Sequence, residues 1–166
     1  MRKLAIHLAL SVLTGACSDQ PTEASLRDEF DRNRAGFDQL AEMAARDSVY
    51  RRIATDFVHP QYELPQSEWP NDPSEEKWDQ YRQAFERLNL EGGVTVYDEE
   101  SIVLERWGEG MVTSGSSIGF WRVDSLPENA ITLSPDAEFD CDRAQEGWCA
   151  VVKHLADDWY LVLERH

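Results

Sequence analysis

Lysine is almost missing from this chain: three residues, against 13 arginines. The 16 cations together face 32 acids, for a formal charge of −16. Such a chain has no basic face to offer, which excludes nucleic acid and anionic lipid headgroups as charge-matched partners. It suits a solvated domain, or one that meets a basic protein. Histidine is also scarce. His59, His154 and His166 stand at no metal-ligand spacing, and a catalytic role is not expected of any of them. Three cysteines are too few for a thiolate metal cluster. No internal repeat occurs, and no cofactor is expected.

What is present begins at the N-terminus. Met1-Arg-Lys is followed by an apolar run, Leu4–Leu13, then by small residues and Cys17. This is the layout of a secretory signal, with its n-region, h-region and cleavage zone. The run has 10 residues, about half of the roughly 20 that a spanning helix needs. The segment Leu13-Thr-Gly-Ala-Cys17 resembles the lipobox of bacterial lipoproteins, with Thr14 where Leu is commonest. That resemblance implies a diacylglycerol on the Cys17 sulfur, cleavage before it, and anchoring in the bilayer. Ser18, rather than Asp, after the cysteine implies the outer membrane of a Gram-negative cell, with the domain facing the periplasm. Two acyl chains anchor stably, since each buried methylene adds about 0.8 kcal/mol. An ordinary signal peptide cut near Ala16 would instead leave Cys17 as a free thiol.

The expected organisation is therefore residues 1–16 as signal, 17–24 as a polar lipidated tether containing Pro21, and 25–166 as one domain. Removing the signal takes away two cations and no acid, leaving 150 residues with a formal charge of −18. A chain of that length can bury about 68–70% of its unfolded surface. Cys141 and Cys149 remain as an even pair. In an oxidising compartment they are expected to form a disulfide.

Helical spacing places Leu26, Phe30, Phe37, Leu40, Ala41 and Ala44 on one face of a first helix, capped by Ser25 and interrupted by Gly36. Val49–Ala54 either continues it or becomes extended. Three prolines between His59 and Pro73 mark a long irregular connection, with Trp69 docked on the domain. A second helix is expected with Asp72 as N-cap, Pro73 at N1 and Glu75 completing a capping box. Trp78, Tyr81, Phe85 and Leu88 form its stripe, and Gly92-Gly93 its stop. The period then changes to two. Val94–Tyr97 and Ile102–Trp107 read as a hairpin, a glycine-rich connection leads to Ile118–Val123, and Ile131–Leu133 is a short strand. Trp148–His154 and Trp159–Leu163 close the chain as a second hairpin. The fold class is α+β: two N-terminal helices packed on one face of an antiparallel sheet of about five or six strands.

Two stretches could carry chemistry. Gly115-Ser-Ser117-Ile-Gly119 fits the G-x-S-x-G pattern of a hydrolase nucleophile elbow, with Ser117 as nucleophile and Asp124 and His154 downstream. That chemistry needs a strand-to-helix turn, and Phe120–Val123 reads instead as a strand, so a glycine-rich connection is the expected reading. Asp136, Glu138, Asp140 and Asp142 alternate, as carboxylates around calcium can, but Cys141 and Gly147 stand where an EF-hand loop needs Gly and Glu. A solvated acidic loop over 136–146, pinned by the cysteines, is expected. The aromatics Trp78, Tyr81, Phe85, Trp107, Trp121 and Trp148 are expected in the core, where an exposed one could anchor a partner.

The stretches Phe30-Asp-x-Asn-Arg-x-x-Phe37-x-x-Leu40, Trp78-x-x-Tyr81-x-x-x-Phe85-x-x-Leu88, Gly115-Ser-Ser-x-Gly119 and Asp158-Trp-Tyr-Leu161 give the mature chain a resemblance to small uncharacterised bacterial lipoproteins. It implies the α+β fold and no particular activity. The expected function is a non-catalytic binding module, of immunity type when its partner is a basic toxin domain. A small envelope serine hydrolase using Ser117 and a structural envelope lipoprotein are the alternatives.

Overall fold

The computed structural model describes residues 20–61, 73–98, 100–111, 114–141 and 149–165. The signal segment, Cys17, Ser18, Trp69, Asp72, Asp142, Trp148 and His166 lie outside them. The elements run α1 (Glu23–Arg46), β1 (Tyr50–Ile53), β2 (Val58–Pro60), α2 (Glu75–Leu88), β3 (Gly93–Asp98), β4 (Ser101–Met111), β5 (Ser114–Val123), β6 (Ile131–Thr132), β7 (Cys149–Ala156) and β8 (Trp159–Arg165). The class is α+β, with two corrections. The sheet has eight strands, ordered β2-β1-β3-β4-β5-β8-β7-β6, and the β6–β7 pair is parallel, so the sheet is mixed. The second helix also follows two short strands in the chain instead of following the first directly.

The helices form where the apolar spacing places them, but their caps differ from expectation. Thr22, not Ser25, caps α1: its Oγ1 accepts from the Ser25 amide at 3.2 Å. Ser74 caps α2 by accepting from the Lys77 amide at 3.3 Å, so Pro73 precedes the helix rather than occupying N1. Asn89 ends α2 in the left-handed region at φ 57°, ahead of the two glycines. Gly36 lies inside α1 because a Cβ there would sit 2.9 Å from Leu88 Cδ2. It lets the two helices approach closely. Asp47, buried at the end of α1, accepts from the Tyr81 hydroxyl at 2.8 Å and pairs with Lys77, which ties α2 to α1. Burial, then the Asp47 charge, pushes the Tyr81 phenol far above its ordinary value.

Strand alternation sends Val94, Val96, Ile102, Leu104, Ile118, Phe120, Trp159, Leu161 and Leu163 toward the helices. There they meet the buried face of α1. Phe37 and Phe120 pack with ring centroids 4.4 Å apart, and Phe30 and Trp159 at 5.6 Å. Each such side chain contributes about 1.5–3 kcal/mol by burial. Trp159 Nε1 donates to Asp38 on α1 at 2.9 Å, so the largest core ring is also oriented. Lys153 on β7 is buried to 1% exposure. Its ammonium donates to Glu23 at 2.7 Å, to the Ala137 carbonyl at 2.5 Å and to the Pro135 carbonyl at 3.2 Å. Burial alone would raise the Glu23 carboxyl, but the bonds from Lys153 and Arg27 outweigh it and hold it below the ordinary range.

Val49–Ala54 turns extended instead of continuing α1. His59 and Pro60 belong to β2 instead of an irregular connection. The glycine-rich stretch Gly115–Gly119 is the body of β5, not a connection. A Cβ on Gly119 would strike the Leu104 carbonyl oxygen across the ladder. Gly119 therefore serves close strand approach.

Candidate functional site

The helices cover one face of the sheet; the other holds a second, smaller apolar cluster. Val103, Trp121, Val123, Val152 and Val162 form it by the same alternation, and Leu126, Ala130 and Tyr160 pack on it. The Trp121 indole is fixed by donating to Ser101 Oγ at 3.1 Å. A hydrogen bond from the Ala130 amide to the Pro127 carbonyl at 3.0 Å shapes the loop that follows β5. Across from it, the β3–β4 turn is set by Asp98 accepting from the Glu100 amide at 2.9 Å.

Between this turn and this loop lies a cleft of about 500 Å³, inside the range of about 300–1,000 Å³ typical of ligand sites. Tyr97, Trp121, Val123, Leu126 and Pro127 supply its apolar lining. Asp98, Glu100, Asp124, Glu128 and Glu164 supply carboxylates, and among the described residues no Lys or Arg lines it. Tyr97 is 40% exposed. Partial burial, then the Glu164 carboxylate, pushes its phenol up to about 12, the direction expected where negative charge accumulates. The Arg51 guanidinium lies 3.8 Å from the Tyr97 ring centroid and is held by a 3.1 Å bond to the Val96 carbonyl.

Beside the cleft, a polar group sits on the same helix-free face. Glu105 accepts from Arg52 at 2.7 Å and from Thr95 Oγ1 at 2.8 Å. Burial raises the Glu105 carboxyl despite the opposing effect of Arg52. Arg52 also donates to the Gly92 carbonyl at 3.2 Å.

The sequence-predicted residues scatter around this site. Asp124 lines the cleft, whereas Ser117 lies mid-strand, opposite Gly108 on β4 and Glu164 on β8. His154 pairs with Tyr160, four residues along β8 from Glu164, or about 13 Å at strand rise. Its Nε2 lies 3.0 Å from the Asp157 carbonyl oxygen. Ser117 and His154 are thus not brought together, and Ser117 is not on a strand-to-helix turn. His59 faces Phe57, with ring centroids 5.2 Å apart. Cys141 and Cys149 lie at disulfide distance, with Cα atoms 6.2 Å apart, within the bridging range of about 4.4–6.8 Å. In the acidic loop, Asp140 accepts from the Cys141 amide at 2.7 Å and lies 3.6 Å from Arg165. Among the described residues no three His, Cys, Asp or Glu side chains converge as metal ligands. Tyr81 and Phe85 are buried in the helix-side core, Trp107 packs there as well, and Trp78 donates to the Ala54 carbonyl at 3.3 Å.

Sequence reasoning missed the cleft. The available signal was the acidic character of two separate turns, Asp98–Glu100 and Asp124–Glu128, which the hairpin order of β3, β4 and β5 brings to one end of the sheet.

No protein-family model, curated protein or solved structure matches the chain.

Proposed function

We propose that the chain is a membrane-anchored, periplasm-facing binding module that meets a basic protein partner through the helix-free face of its sheet. The observation that carries this reading is the cleft: five carboxylates around an apolar lining, with no cation among its described lining residues. A formal charge of −18 on the 150 residues after the signal supports it by steering cationic partners. The lipobox-like Leu13–Cys17 supports anchoring through acylated Cys17, and Ser18 supports the outer membrane. When the partner is a toxin domain, the module acts as an immunity protein. Catalysis forms no part of the reading: Ser117 lies in a strand, away from His154 along the β8 ladder.

The test is capture from envelope extract on the immobilised mature domain. A cationic protein should be retained at low salt, released as salt screens the contact, and lost when Asp124→Lys and Glu128→Lys are introduced together. Retention of no cationic protein, or retention indifferent to both changes, defeats the reading.

A further inference from the structure

Resting on that reading, we propose that the cleft between the β3–β4 turn and the loop after β5 is an arginine socket: it takes an arginine side chain from an extended basic segment of the partner, in preference to lysine. Charge complementarity singles out this recess. A neighbouring recess of about 390 Å³ shares Glu100 and Asp124 with the cleft, but its lining also includes Arg46 and Arg122. That recess therefore holds cations of the chain's own, and Arg122 there pairs with Asp158 at 2.7 Å. Among the described residues, the cleft's lining has five carboxylates and neither Lys nor Arg. Two nearby cations of the chain are already engaged, Arg51 with the Tyr97 ring and the Val96 carbonyl, and Arg52 with Glu105.

The shape of the lining points to arginine. An arginine side chain is an apolar stem with a planar, five-donor head. The stem covers apolar surface while the head stays among polar groups. Here Trp121, Val123, Leu126 and Pro127 suit the stem, and the surrounding carboxylates suit the head. A carboxylate accepts two parallel bonds from a guanidinium but meets an ammonium as a point charge. The guanidinium is also less strongly hydrated, so it enters a partly apolar recess at lower cost. The Arg51–Tyr97 stack, at 3.8 Å, shows that this edge of the sheet already accommodates a guanidinium against an aromatic face.

The experiment is calorimetry of the mature domain with two blocked peptides of equal charge, hexa-arginine and hexa-lysine, at one fixed salt concentration. Hexa-arginine should bind at least tenfold tighter. Asp124→Asn with Glu128→Gln should weaken it at least tenfold, whereas Asp31→Asn with Glu76→Gln, on exposed helix positions and with the same charge change, should leave it unaltered. All four side chains are exposed, so unchanged melting temperatures will establish that the variants fold. Equal binding of the two peptides overturns the arginine preference and leaves the basic-partner module standing. Binding that survives the cleft variant overturns the location. Binding of neither peptide overturns the socket and the basic-partner reading together.

Discussion

Single residues settle several points that composition leaves open. Gly119 belongs to a G-x-S-x-G match, yet it is required for strand contact: its missing Cβ leaves room for the Leu104 carbonyl. Gly119→Ala should therefore destabilise the domain by about 2 kcal/mol or more in chemical denaturation, while Ser117→Ala stays within about 0.5 kcal/mol. The reverse order would revive Ser117 as the reason for the motif. Lys153 and Glu23 form a second, asymmetric pair. Glu23→Ala leaves a buried ammonium without its carboxylate and should cost about 3 kcal/mol; Lys153→Met, which leaves a partly solvated carboxylate, should cost clearly less. The same pair fixes a pH dependence. Glu23 has a depressed carboxyl in the folded state, so its contribution is complete above the ordinary unfolded value and is lost as pH falls through the folded one. Melting temperatures of wild type and Lys153→Met should converge on that acid side. Glu105 works in the opposite sense. Its raised carboxyl penalises the ionised form, and the penalty eases as pH falls toward the folded value. The cysteine pair was legible at this scale because two cysteines eight positions apart are enough to suggest a short closed loop. The Lys153–Glu23 contact was not, because it joins residues 130 positions apart.

At the scale of elements, hairpins and the short β6 were legible, whereas β1 was open between helix and strand and β2 was missed. The β3–β4 and β7–β8 pairs are rich in strand-forming residues and carry their own turn residues, with Asp157 at φ 51° in the second turn. β1 has four residues, two of them arginines. Its strand character rests on distant partners: Arg52 on Glu105, Arg51 on the Val96 carbonyl, and the ladder to β3. None of that is visible in a local pattern. The cap of α2 was displaced by two positions because Ser74 has an amide in reach at Lys77. Ser74→Ala should lower stability by about 1 kcal/mol. The Cys141–Cys149 closure spans eight positions, and its reduction should cost about 2–3 kcal/mol on chain-entropy grounds. Denaturation with and without reductant measures this directly.

For the whole molecule, the two faces of the sheet have different tasks. Helices close one, and among the described residues the other has a turn, a loop and a small apolar cluster around the acid-lined cleft. The sequence reported the acidity in total but not its focus, since turn acids look alike until topology gathers them. If Cys17 is acylated, Cys17→Ser should move the protein from the membrane to the soluble fraction of the envelope, as fractionation and fatty-acid labelling would reveal. A chain that remains membrane-bound and unlabelled in both forms would defeat the anchor. The Lys153–Glu23 contact then acquires a mechanical meaning. Glu23 opens α1 only six residues after Cys17, so any tug between membrane and partner enters the domain there. Lys153 hands that load sideways into β7 and, through its ladder, into β8.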